Sequence, residues 1–255
     1  MEDAAHNWAA SSVLALGVPH SKDLAIWGRL CYTVAMDNET DKEKNSDRFQ
    51  IILAELERLY PEAKPALHYD TPYQLLVAVV LSAQCTDERV NRVTGKLFPE
   101  YGTPQAMVTL TQTELERKIY SCGFYRMKAE HILSASRDIL EKFDGEVPGD
   151  LQSLQTLAGV GRKTANVVYS VAFHGDAIAV DTHVFRVSNR LGIAQASTLE
   201  KTEEQLMENI PREKWSRAHH WLIYHGRRVC HSRKPDCEEC TLRHCCDYFL
   251  ARQKE

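Results

Sequence analysis

Apolar residues recur every three or four positions over most of this chain, and that spacing predicts its elements. Phe49, Ile52, Leu53, Leu56 and Leu59 fall on one face of a helix that Tyr60-Pro61 ends. Thr71-Pro72-Tyr73-Gln74 sets an N-cap threonine before a proline at the first helical position, with glutamine in the capping-box place. The run from Leu75 to Leu81 is apolar all round, which predicts a central, buried helix. Further helix starts are expected at Thr86-Asp87, Thr103-Pro104 and Thr111-Gln112-Thr113-Glu114. Arg126 to Phe143 reads as a long amphipathic helix closed by Gly145 and Pro148, and Asp150 caps the next one. Asp181 to Leu191, stopped by Gly192, then Ser197 to Ile210 and Glu213 to His225 complete the set. Strand-like alternation is nearly absent and no repeat is present, so the expected fold class is all-α.

Residues 1–46 break this pattern. They read as an extension with at most one short helix, ending in a polar linker from Asp37 to Ser46. Met36, just before that linker, is a possible second start. The sequence assigns the extension no job.

Composition narrows the class only a little. The 255 residues, 44% hydrophobic and 26% charged, suit one large domain or two modest ones. No apolar run approaches membrane-spanning length, and Glu2 and Asp3 replace the basic start of a secretory signal. A soluble, cytoplasmic chain with no membrane partner is expected. The formal charge of −4 argues against a wholly basic nucleic-acid binder but leaves room for a local basic face.

Candidate chemistry begins in the stretch Leu157-Ala158-Gly159-Val160-Gly161-Arg162-Lys163-Thr164-Ala165. Two glycines bracketing a small apolar residue between helices are expected to take positive φ and to bring backbone N–H groups close to a ligand. A turn that opens a helix presents unpaired N–H groups at a positive dipole end, which suits a phosphate. The same dipole disfavours protonated Lys163 just inside the helix, freeing its amine for nucleophilic work. The plain alternative is a packing corner between two helices. A second candidate is Asp181, where the apolar segment Ala177-Ile178-Ala179-Val180 turns into a helix. It caps the first N–H groups; facing Lys163 across a pocket, it would also be a fixed negative charge. His183 is taken as structural.

Five of the eight cysteines crowd between Cys230 and Cys246. The spacing Cys230-x6-Cys237-x2-Cys240-x5-Cys246 lets four thiolates wrap one compact metal centre. Zinc and an iron–sulfur cubane both take four cysteines, and spacing alone leaves the choice open. Cys31, Cys85 and Cys122 read as ordinary thiols.

The hairpin stretch, Val180-Asp181-Thr182-His183 and the four spaced cysteines together resemble the endonuclease III family, helix–hairpin–helix DNA glycosylases with an iron–sulfur cluster. Leu81-Ser82-Ala83-Gln84 and His219-His220-Trp221-Leu222-Ile223 agree, and the likeness runs from about Asp47 to the C-terminus. The resemblance implies a bilobed fold: a six-helix barrel lobe over 67–175, and a cluster lobe built from 47–66 with 176–255. It implies catalysis in the cleft between them. A damaged, oxidised pyrimidine or abasic site is flipped from double-stranded DNA, and Lys163 attacks C1′ to give a Schiff base that β-elimination resolves into a nick. A free lysine has a pKa of about 10.4, so depression by the dipole and by cleft burial is expected. Asp181 offsets the charge developing on the sugar.

The resemblance also implies a [4Fe-4S] cluster on Cys230, Cys237, Cys240 and Cys246, with Cys246 rather than Cys245 as fourth ligand. Gln84 and Phe124 would fill the hole left by the flipped nucleotide; without the family, Gln84 reads as a helix end and Phe124 as core. Gly159, Gly161 and the N–H groups of Arg162 to Thr164 would hold one phosphate, and Arg233 and Lys234 another unless their loop is simply solvated. The chain is expected to act as a monomer. It departs from the family at Ala158 (usually proline), Phe124 (usually leucine), Cys122 (usually isoleucine) and the added Cys245. Two other readings compete. A monofunctional glycosylase, such as one acting on mismatched adenine, would lack Lys163 and carry a further C-terminal domain. A non-catalytic DNA-binding module would need neither Lys163 nor Asp181 in a cleft.

Overall fold

The computed structural model describes residues 41–253. The readings made for residues 1–40, Met36 among them, lie outside these. Among the described residues there are α-helices and short 3-10 turns and no strand.

The first helix, α1 (Asp41–Leu59), begins earlier than its apolar stripe. Residues 41–46, read above as linker, are its first turns. Once buried Phe49, Ile52 and Leu53 fix the helix, each further residue adds one hydrogen bond for one residue ordered, so the polar stretch is drawn in. Helix α2 (Pro72–Ser82) is buried at Tyr73 and from Leu75 to Leu81, as its all-apolar run predicts. Thr71 accepts the Gln74 N–H at 3.2 Å, but the Gln74 side chain accepts from Asp70 N–H (2.9 Å) instead of returning to Thr71. The reciprocal half of the capping box therefore serves a donor one residue further out.

Threonine caps open the next three helices: Thr86 for α3 (Asp87–Tyr101), Thr103 for α4 (Pro104–Met107) and Thr111 for α5 (Gln112–Ile119). Only the last forms a full capping box, with Glu114 accepting from Thr111 N–H at 2.8 Å. Then follow α6 (Tyr125–Lys142), α7 (Leu151–Leu154), capped by Asp150, and α8 (Arg162–Ala172). These helices share one core, including Leu76, Leu81, Leu97, Met107, Ile119, Ile139, Leu157 and Val168.

A second core joins α1 to the chain after residue 177: α9 (Thr182–Leu191), α10 (Leu199–Asn209), α11 (Trp215–Arg228) and α12 (Asp247–Arg252). Ile52, Leu56, Val184, Leu206 and Trp221 lie at its centre. Gly192, at φ +82, ends α9 in the left-handed conformation expected of a C-terminal glycine. The fold is thus bilobed and all-α.

Candidate active site and cysteine centre

Helices α7 and α8 with the turn between them form the hairpin. Gly159 takes φ +77, and a Cβ there would stand 2.8 Å from His131, so the position needs glycine on two counts. Gly161 behaves differently. It sits in extended conformation at φ −81 as the N-cap of α8, where a Cβ would meet nothing within 4 Å. The positive φ expected of both glycines is found at the first alone. No side chain caps α8, so its leading N–H groups stay open to an anion. Arg162 offers only its backbone here. Its guanidinium crosses the seam to Glu203 on α10, Nε to Oε1 at 2.9 Å, and Glu203 is buried.

Lys163 and Asp181 line one cleft between the lobes, with Lys64, Ser82, Asp87, His219, Tyr224 and Arg227. Its empty volume is about 580 Å³, part of it open to solvent. Asp181 is the N-cap of α9, and its Oδ1 accepts from both His183 N–H and Val184 N–H at 2.8 Å. The capping role is real, and both bonds fall on one oxygen. Lys163 is exposed in the first turn of α8, so the cleft burial expected for it is not supplied by the protein alone. Beneath them His219 is buried, its Nδ1 2.8 Å from the Ala179 carbonyl. Burial lowers its pKa, Asp181 opposing and Lys163 adding to the effect. A neutral ring facing a carbonyl must donate from Nδ1, which leaves Nε2 as an acceptor. Across the cleft mouth Arg227 of α11 pairs with Asp87 of α3 at 2.8 Å.

Gln84 and Phe124 are both exposed residues with positive φ, +52 and +57. Phe124 is 62% exposed, which rules out the core reading. Two non-glycine residues in left-handed conformation on neighbouring loops is stored strain of a kind that clusters at ligand-contacting sites. Lys128 holds the first loop from below, its buried Nζ donating to Leu81 O (2.8 Å) and Ala83 O (2.7 Å).

Cys230, Cys237, Cys240 and Cys246 line a single cavity of about 320 Å³ empty volume, part of it open to solvent, with Leu191, Val229, Pro235, Tyr248 and Phe249 also on its wall. Cys245 is buried in the second core and is not part of that lining. Burial pushes the Cys240 thiol up to about 12 and raises Cys246, with neighbouring cysteines adding to both shifts. Thiols raised in this way ionise together only around a cation, so the chemistry of the donor set fits a thiolate-bound metal centre. Arg190 Nη1 lies 3.4 Å from Cys230 Sγ and His225 Nε2 lies 3.7 Å from Cys240 Sγ. The loop between Cys230 and Cys237 presents Arg233 and Lys234, both exposed, and Arg190 braces it through His231 O (2.7 Å) and Ser232 O (3.1 Å).

Residues 77–212 match the HhH-GPD superfamily of base excision DNA repair proteins. The chain is 52% identical over 196 residues to endonuclease III of Synechocystis, covering 76% of this chain and 90% of that one. It is 47% identical over 197 residues to endonuclease III of Haemophilus influenzae, covering 77% and 93%. It also superposes on a trapped endonuclease III–DNA covalent intermediate with a TM-score of 0.78 at 45% identity, covering 82% of this chain and 98% of that one. The chain belongs to the endonuclease III family. It is an enzyme, a DNA glycosylase of base excision repair.

Several residues of this endonuclease III family member carry little signal in the sequence. Lys128 sits on the apolar stripe of α6 with Ala129, Ile132 and Leu133, and a charge on a core face was the available signal. Asp87, Arg227 and Arg190 carry no local signal, because their partners are 140 or 41 residues away. The exposed patch of Tyr120 (68%) and Met127 (50%) beside Phe124 was hidden by a helical spacing that looks like core.

Proposed function

We propose that this enzyme is a bifunctional DNA N-glycosylase and AP lyase that removes oxidised pyrimidines from duplex DNA. One observation carries the reading: an amine and a carboxylate, Lys163 and Asp181, stand on the walls of one cleft, beside the uncapped N-terminus of α8. The N–H groups of Arg162 to Thr164, with room left by Gly159 and Gly161, take a backbone phosphate. Gln84 and Phe124 enter the stack as the damaged nucleotide leaves it, offsetting part of the unstacking energy. With C1′ in the cleft, the free amine of Lys163 attacks it and the C1′–base bond breaks, the base leaving with its electron pair and a proton. The ring opens to a Schiff base between C1′ and Nζ, loss of a C2′ proton expels the 3′ phosphate, and water releases the enzyme. Asp181 offsets the positive charge that grows on the sugar, and neutral His219 keeps a competing cation out of the cleft floor.

A [4Fe-4S] cluster held by Cys230, Cys237, Cys240 and Cys246 would fix the loop that presents Arg233 and Lys234 to a second phosphate. Sulfurs set around a cavity suit a cluster, with one cysteine per iron. We place the barrel lobe at 67–175 and the cluster lobe at 47–66 with 176–255, extended back to Asp41 by α1. The enzyme works as a monomer on DNA in the cytoplasm.

The test is single-turnover kinetics on a duplex with one oxidised pyrimidine, following base release and nicking separately. Lys163→Ala is expected to lose both by several orders of magnitude while duplex binding survives. Base release at an unchanged rate in that variant would make the enzyme monofunctional.

A further inference from the structure

Cys85 and Cys122 lie outside the cleft and the cysteine centre, and base removal as proposed uses neither. They come from separate loops, one after α2 and one before α6, yet both side chains pack against one core, near enough for Cys85 to act on the Cys122 thiol. Cys122 is fully buried and Cys85 half-buried against the same core. These loops also carry Gln84 and Phe124, and they touch: a Cβ on Gly123 would stand 3.7 Å from Gln84 O. Burial pushes the Cys122 thiol up to about 11, Cys85 adding to the shift. Cys122 is therefore protonated at neutral pH, and the more accessible Cys85 is the sulfur that meets an oxidant first.

We propose that Cys85 and Cys122 are a site of reversible oxidation, which hydrogen peroxide converts to a disulfide that misplaces Gln84 and Phe124 and stops lesion capture. The Cys85 thiolate attacks one peroxide oxygen, breaking the O–O bond to give a sulfenic acid and hydroxide. Cys122 then attacks that sulfur; the S–O bond breaks, the S–S bond forms, and the second hydroxide leaves. Two thiols lose two electrons, one peroxide gains them, and the two thiol protons complete two waters. The bond sets the sulfurs about 2.05 Å apart, far closer than unbonded sulfurs stand, and draws together two loops whose tips are already strained. The effect on DNA, unlike the disulfide itself, rests on the insertion roles proposed above.

The test treats the whole holoenzyme with hydrogen peroxide, alkylates remaining thiols, and maps linked peptides by mass spectrometry. Single-turnover rates are measured before and after dithiothreitol, with the cluster absorbance followed throughout. A peptide joining Cys85 to Cys122 is expected, with turnover slowed on the order of 10- to 100-fold, the scale that a displacement of about 1 Å costs. Dithiothreitol should restore it, and Cys85→Ser should show neither the link nor the reversible loss. Cys122→Ala gives an independent arm: Cys85 should then accumulate a sulfenic acid that dimedone labels. Cys85 over-oxidised with no linked peptide would overturn the proposal, as would a link that leaves the rate unchanged or an equal reversible loss in Cys85→Ser. A linked peptide in a protein whose reduced form neither cuts nor traps the duplex would overturn the proposed function and the effect on capture together, leaving the oxidation site standing.

Discussion

At the scale of residues, Asp181 shows how one side chain can hold a helix and serve a cleft. Its Oδ1 takes both cap bonds, so asparagine, an equally good cap, should preserve folding while deleting the charge. Asp181→Asn is expected to bind the duplex nearly as well as wild type and to slow single-turnover base release by at least about 100-fold, the scale of losing one transition-state electrostatic contact. Chemistry close to wild type would reduce Asp181 to a cap. The two hairpin glycines divide in the same way. Gly159→Ala forces a left-handed alanine against His131 and should lower unfolding free energy by about 1–2 kcal/mol or more. Gly161→Ala meets nothing in the protein, so it should melt like wild type and lose affinity for DNA; an unchanged affinity would remove the phosphate from that turn. That Lys163 and Asp181 stand at helix starts and the glycines in a turn was legible, because these are local events. Arg162 was not: nothing beside it announces Glu203, 41 residues on.

At the scale of elements, the caps were the most readable feature, since an N-cap threonine and its donor lie within one turn. The start of α1 at Asp41 is not local in origin, because cooperativity, not local polarity, decides where a helix frays. Helix α11 adds a property that its sequence hides. Burial pushes His220 down to about 3 and lowers His219 by the same cause. In the unfolded chain both titrate near a pKa of about 6.5, so below that pH the unfolded state binds more protons than the folded one. The stability they contribute is full above about pH 6.5 and is lost as pH falls toward the folded values. The melting temperature should therefore drop between about pH 7 and 5, above the range where ordinary carboxylates titrate. His220→Gln should flatten that slope, and an equally steep slope in the variant would refute the account.

At the scale of the whole molecule, one core formed within residues 73–168 and another joining α1 to the last third of the chain make the seam the natural place for a site. All-α class follows from periodicity alone, whereas the return of α1 to the second lobe is a long-range pairing that no local pattern encodes. Resemblance to a known family supplied it. The cysteine centre belongs to that second core, so losing it should loosen the lobe as well as bleach the protein. Cys246→Ser is expected to weaken cluster absorbance and lower the melting temperature, while Cys245→Ser keeps the absorbance; the reverse pattern would shift the ligand set by one residue. In the proposed reaction one lysine in the interlobe cleft performs the chemistry. The most direct test is borohydride reduction of the enzyme on a duplex with one oxidised pyrimidine, followed by peptide mapping of the covalent adduct. The account requires the sugar remnant on Lys163 and no adduct from Lys163→Ala, whereas a remnant on any other amine, or undiminished trapping in that variant, would contradict it.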